Sequence, residues 1–318
     1  MEAFWLMLVN VLIFVALALP GFILVKTKIL KTSESGALSK LLTYVGMPFL
    51  ILSSTLGIKF EQSFIATALV SAVACIALTV IIFLITAPLT SLEKNDKKRG
   101  IMRFAMTFSN NGFLGIPLAM AVFGASHPIV SIVIILNILN NIMIFTLGLY
   151  LISGDKTKIS LKKAFLNPVL IAFVLGLILN LVEIKNIIPQ ITTFSDHLKN
   201  IVTPLSMIIL GIKLADVPFS SLFTSKSCYF VSAIKLVASP IVAALLGFLL
   251  KLLFNLSNEI VMAFFIGFAM PTAGLSTTFS DQFGGDTKNS VIYTLGTTIF
   301  SVATIPILYF LLNLIIVI

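Results

Sequence analysis

Charge is scarce in this sequence. Lys and Arg number 21 and Asp and Glu 12 in 318 residues, a tenth of the chain, whereas soluble domains carry about a quarter. Such a chain cannot clothe a water-facing surface, which excludes an ordinary soluble domain. Cysteine is nearly absent. Cys75 and Cys228 both fall in apolar stretches, which argues against a disulfide framework and makes them small packing residues. The two histidines, His127 and His197, have no second ligand at metal-binding spacing, so no metal site and no cofactor is expected. Neither HExxH, G-x-S-x-G, a P-loop nor G-x-G-x-x-G occurs, and the chain reads as no enzyme.

What remains is apolar: 58% of residues are hydrophobic and the mean hydropathy is +1.13. These residues come in blocks long enough to cross a hydrocarbon core, which takes about 20 residues of helix. The blocks lack the period-2 alternation of a membrane barrel. The fold class that follows is an all-α integral membrane protein of about ten transmembrane helices in a lipid bilayer. The expected spans are 4–25, 37–55, 63–89, 101–123 and 128–152, then 164–182, 198–214, 228–250, 259–282 and 289–318.

The net charge of +9 is placed unevenly. Lys26, Lys28 and Lys31 follow the first span, Lys94 to Arg103 lie between the third and fourth, and Lys156, Lys158, Lys162 and Lys163 between the fifth and sixth. Basic loops stay in the cytoplasm, so a plasma-membrane protein with both termini outside is expected. The basic run at 93–99 is a membrane-side anchor in this reading, not a nucleic-acid site. Ala16-Leu17-Ala18 mimics a signal-peptide cleavage site, yet no positive charge precedes it, and the segment reads as a retained first helix.

An internal repeat organises the chain into 1–153, a short cytoplasmic linker at 154–163, and 164–318. Asn10 is expected to open the first helix as Asn167-Pro168 opens the sixth, and 44–48 ahead of the kink at Pro48 matches 200–204. The polar break ending at Pro117 matches Met270-Pro271-Thr272-Ala273. An odd number of spans per half turns equivalent helices upside down, giving two inverted five-helix repeats, the plan of many secondary transporters.

The fourth span carries Thr107-Phe108-Ser109-Asn110-Asn111-Gly112-Phe113-Leu114-Gly115-Ile116-Pro117. Proline removes a backbone donor and glycine tolerates non-helical angles, so the helix is expected to break there. A break in lipid survives where it lines a cavity or is buried in protein. With its partner in the ninth span it points to a midplane site where half-helix N-termini face a carboxylate. Candidate residues are Ser109, Asn110, Asn111, Gly112, Pro117, Pro271, Thr272 and Ala273. Asn137, Asn140 and Asn141 share one face of the fifth helix at i, i+3, i+4, either as interhelical glue or as part of the site. Lys235 either snorkels to the surface or offers a counter-charge. Asp281 and Asp286 read as solvated carboxylates, with a charge-tuning role for Asp281 left open.

Asn110-Asn111-Gly112-Phe113-Leu114-Gly115-Ile116-Pro117-Leu118 resembles the fourth-helix signature of the auxin efflux carrier family, in a short microbial form. The likeness extends to Asn167-Pro168, to Lys235 five residues before Pro240, and to Ala269-Met270-Pro271 followed by Phe283-Gly284-Gly285-Asp286. The resemblance implies helices 1, 2, 6 and 7 as a scaffold that also forms a homodimer, and helices 3–5 and 8–10 as a transport domain. It implies that the fourth and ninth helices cross at the prolines, that Asn110 helps hold a substrate carboxylate, and that alternating access moves a small organic anion such as malate or malonate. The long hydrophilic loop of the plant carriers is missing, which argues against auxin itself. A sodium- or proton-coupled carrier and a non-transporting sensor are the alternatives. The coupled carrier is disfavoured because neither break contains an ionisable residue.

Overall fold

The computed structural model describes residues 2–58, 62–155, 166 and 168–316. Among them the regular structure is helical. Helix α1 spans Glu2–Ala16 and α2 Leu19–Lys26. Helix α3, Ser35–Leu41, runs through a π turn, Leu42–Gly46, into α4, Met47–Leu56. Helix α5 is Gln62–Leu89. Helix α6, Asp96–Thr107, ends in an extended stretch at 108–110, and a π turn at Asn111–Gly115 leads into α7, Ile116–Phe123. Helix α8, Pro128–Met143, continues through the π turn Ile144–Gly148 into α9, Leu149–Ser153.

In the second half α10 is Pro168–Leu181, α11 Ile184–Ile187, α12 Gln190–Lys199, α13 Val202–Leu214 and α14 Phe219–Thr224. Helix α15, Lys226–Ala233, passes through the π turn Ile234–Ala238 into α16, Ser239–Phe254. Helices α17, Glu259–Ala269, and α18, Leu275–Phe283, flank the second break, and α19 is Thr287–Ile315.

Proline chemistry accounts for much of this punctuation. Three of the π turns end two residues before Pro48, Pro117 and Pro240. A proline ring crowds the carbonyl four residues back and offers it no N–H, and widening the preceding turn relieves both defects without ending the helix. Pro20, Pro128 and Pro168 instead occupy first-turn positions, where the missing donor costs nothing. Asn95, Ser225 and Asp286 cap α6, α15 and α19 through their side chains.

Among the described residues six helical stretches are long and apolar enough to cross a membrane alone: Met7–Lys26, Thr32–Leu56, Ile65–Leu89, Pro128–Ser153, Lys226–Phe254 and Thr287–Ile315. Asn111–Phe123, Pro168–Leu181 and Glu259–Ala269 are shorter apolar helices. Leu69, Val73, Leu181, Leu245 and Ile315 point outward, a surface that lipid solvates and water does not. Inside, α10 packs along α4, α16 along α17, and α2 along α13. A methyl group on Gly21 would lie 2.0 Å from the Ile208 carbonyl oxygen, and one on Gly211 1.8 Å from that of Ala18. The two backbones therefore touch at paired glycines, the close approach that small residues permit in membranes.

Several expectations change. Asn10 lies mid-helix in α1 and opens nothing. The basic segment is helical from Asp96, so Arg103 belongs to α6, where it donates to the Phe83 carbonyl at 2.9 Å instead of lying in a loop. Within that anchor, Lys98 lies 2.6 Å from Glu93 and holds its carboxyl below the usual range. The segments 44–48 and 200–204 differ locally, since the former holds a π turn and the latter a helix start. Asp286 is a helix cap, not a merely solvated carboxylate. The lysines at 156–163 and Asn167 fall outside the described residues.

Candidate functional site

The two interrupted helices meet at their breaks. Ser109 and Thr272 form an isolated antiparallel bridge. The Asn110 N–H donates to the Pro271 carbonyl at 2.8 Å, and the Ala273 N–H to the Phe108 carbonyl at 3.0 Å. Each break thus supplies the backbone partners that the other lost. Left unpaired in an apolar interior, such groups would cost about 2–7 kcal/mol each, which explains why neither break survives without its mate. Pro271 sits in the crossing. Pro117 does not: it stands in the first turn of α7, past the π turn, so the expectation that both prolines mark the crossing is corrected.

Side chains from three further helices lock the bridge. Asn140 on α8 donates from Nδ2 to the Ser109 carbonyl at 2.9 Å. Lys235, in the π turn between α15 and α16, donates from Nζ to Ser109 Oγ at 2.5 Å. Thr272 donates its hydroxyl to the Ala105 carbonyl at 3.1 Å, and its N–H donates to Thr297 Oγ1 at 3.1 Å. Replacing Asn140 by alanine leaves the Ser109 carbonyl unpaired. The expected loss is about 1–3 kcal/mol of stability, seen as a lower melting temperature of the purified protein in detergent.

Two buried polar atoms beside the crossing have no partner among the described residues: Asn137 Nδ2 and Asn111 Oδ1. Asn137 is fixed by its other end, because its Oδ1 accepts from Asn141 Nδ2 at 3.1 Å, and its free amide is a donor. A small cavity lies there, lined by Ser109, Asn110, Gly112, Phe113, the three α8 asparagines and Ala273 among others. A Cβ at Gly112 would come 2.5 Å from Met47 Cε and 3.2 Å from Asn137 Oδ1, so any larger residue there would have to displace the Met47 tip and crowd the Asn137 amide.

Asn110, Phe113, Gly274 and Leu275 also face a second cavity, which reaches Lys213 and Thr277. Lys213, Thr277 and Leu275 in turn belong to a wider vestibule that Thr32, Pro218, Asp281 and Lys288 also line. Among the described residues the crossing therefore shares walls with a chain of adjoining cavities that leads to the vestibule. The second halves of both broken helices begin on this path. The Asn110 carbonyl takes the N–H groups of Leu114 and Gly115, so the three N–H groups before them lie in the unbonded first turn, where a helix presents partial positive charge.

A family described as "Membrane transport protein" matches residues 6–162 and 155–309. The chain belongs to that family. The auxin efflux carriers, which the fourth-span signature resembles, are this family, and the chain is accordingly a multi-pass membrane transporter. Two relatives agree over nearly the full length. An uncharacterised transporter of Methanothermobacter thermautotrophicus is 28% identical over 313 residues, 94% of this chain and 96% of the relative. An uncharacterised transporter of Methanocaldococcus jannaschii is 26% identical over 305 residues, 93% of this chain and 96% of the relative.

Set in this transporter, the expected residues divide. Ser109, Asn110, Thr272, Ala273 and Pro271 form the crossing, with Asn111, Gly112 and the three asparagines of α8 beside it. Lys235 does not snorkel; it is fully buried and reaches the crossing from the eighth span. Neither break contains an ionisable residue, but the eighth span brings one to the crossing. Asp281 is exposed on α18, where it lines the vestibule away from the bridge. Lys213 escaped the sequence reading. It hydrogen-bonds Thr277 Oγ1 and lines both outer cavities. A lysine at the end of an apolar span was its one signal, readily taken for an interfacial anchor.

Proposed function

We propose that this transporter carries a small organic anion, a carboxylate such as malate or malonate, across the plasma membrane by alternating access, with the anion held at the crossing. The observation that carries the reading is the juxtaposition, in one cavity, of two half-helix starts and the unpartnered, buried Nδ2 of Asn137. Donors without acceptors suit an anion, and Asn110, with no capping bond of its own, stands at the same wall. The lipid bilayer and the anion are the partners in this reading, and a homodimer formed through the scaffold helices is its assembly.

Two inverted five-helix repeats, 1–153 and 164–318 about the linker 154–163, are the architecture this proposal adopts. The matched breaks support it. With both termini outside, the vestibule beside Thr32, Pro218 and Lys288 lies on the cytoplasmic side, which in this proposal makes the conformation the inward-facing one.

Labelled acetate, lactate, malonate and malate, offered to the purified protein in liposomes, test the reading. Saturable uptake and counterflow of one of them are expected; binding and flux of none would overturn it. Lys213 on the approach raises the local concentration of anions. Lys213→Met should therefore raise KM about three- to tenfold with little change in the maximal rate, an effect that salt diminishes in the wild type.

A further inference from the structure

Lys235 holds the one buried ammonium or amine at the crossing that the described residues supply. Its side chain is fully buried, and Ser109 Oγ at 2.5 Å is its polar contact. Among the described residues no carboxylate pairs with it. The helices packed around it keep their ionisable groups engaged elsewhere. Arg103 on α6 is turned onto the Phe83 carbonyl. Cys228 on α15 lies against the Ile292 carbonyl, and Tyr293 on α19 donates to Ser227. Lys251 on α16 donates to Asn258, and Glu259 opens α17. The remaining charges of these helices, at 96–99, Lys226 and Lys288, stand in the end turns, and Tyr229 donates to the Phe223 carbonyl.

A buried ammonium without a counter-ion is costly, and negative charge brought close to it offsets that cost. Part of that charge is fixed: Ser109 lies two residues beyond the C-terminus of α6, whose terminal carbonyls favour a cation. The rest would come from the cargo. Ser109 is shared by both sites, since its Oγ contacts Lys235 while the residue lines the cavity of the crossing. An anion bound beside Asn110 and Asn137 thus sits across one residue from the lysine, in a medium where charges interact strongly.

We propose that Lys235 is the proton-binding site of the carrier: the amine takes one proton from water when an anion occupies the crossing and returns it when the anion leaves, so that proton and anion travel together. The inference rests on the anion-carrier reading above. Nζ gains and loses the proton and no other bond changes. Because the anion favours the protonated lysine and the proton favours the bound anion by the same factor, affinity must rise as pH falls. One proton per anion sets the limit at tenfold per pH unit.

The test uses the purified protein in liposomes loaded with a pH-sensitive dye, with the membrane potential clamped. The probe is whichever of acetate, lactate, malonate and malate is taken up fastest. An inward proton gradient should drive uptake above the equal-pH level, and addition of the acid should acidify the lumen faster with the protein present than leakage of the free acid does in protein-free liposomes. Binding between about pH 7 and 9, where simple carboxylates are fully ionised, should tighten by up to tenfold per unit of falling pH. In Lys235→Gln the gradient-driven uptake should fall at least tenfold, more than counterflow falls, and binding should lose its pH slope. Lys235→Arg, permanently charged, should restore pH-independent binding without proton movement. A structural role would lower uptake and counterflow together and leave the slope. Saturable uptake without proton movement, or an unchanged slope in Lys235→Gln, overturns this inference and leaves the anion carrier standing. Failure of all four acids to bind overturns both.

Discussion

Asn110→Ala should lower saturable carboxylate uptake by about 10- to 100-fold while leaving the protein folded, the range given by removing one hydrogen bond to a charged group, about 1.5–3 kcal/mol. The substitution is clean because the backbone and the side chain of Asn110 have separate tasks. Its N–H bonds the Pro271 carbonyl and its own carbonyl takes the N–H groups of Leu114 and Gly115, and alanine keeps all three. The side chain caps no helix and faces two of the three cavities. Asn137→Ala should produce a loss of the same order through its free Nδ2, although here Asn141 also loses an acceptor. Uptake kinetics beside size-exclusion profiles and melting curves would separate binding from folding. Wild-type KM and maximal rate in a folded Asn110→Ala would move the anion away from the crossing.

Gly211→Ala should damage the fold itself. A Cβ at this position would lie 1.8 Å from the Ala18 carbonyl oxygen and 2.8 Å from its carbon, and backbone cannot swing aside as a side-chain tip can. Helices α2 and α13 must then separate, and overpacking of this kind costs about 1–3 kcal/mol or more. Gly21→Ala meets the Ile208 carbonyl at 2.0 Å and should behave alike. Each variant should express poorly or melt well below the wild type in detergent, and the pair should cost less than the sum, because one separation of the helices accommodates both methyl groups. Gly36→Ala is the control, with nothing within 4 Å of the added methyl. Equal melting temperatures for Gly211→Ala and Gly36→Ala would show that α2 and α13 do not approach as closely as described.

The sequence announced the broken helices through composition. Two amides, two glycines and a proline crowd the fourth span, and the ninth repeats the device around Pro271. Their partnership was legible too, because a break in lipid demands buried partners. The place of the break was less so. Proline marked the end of a π turn in the fourth span and the crossing itself in the ninth, and local chemistry cannot tell these apart. Asn10 misled for a related reason, since one amide is compatible with a helix start or a helix interior.

By itself the sequence determined that the chain lives in lipid, that its apolar blocks are helices, and that two of them break at polar residues. These follow from solvation and backbone chemistry, which act residue by residue and over about 20 positions. Only the tertiary structure decided which distant groups meet. Lys235 and Ser109 are 126 residues apart and share a 2.5 Å hydrogen bond; Lys213 and Thr277, 64 apart, join on the approach. A buried lysine and an interfacial one look the same in a sequence, because snorkelling or burial depends on what the neighbouring helices place at the end of the side chain. The charge at the crossing is therefore a property of the packed helices.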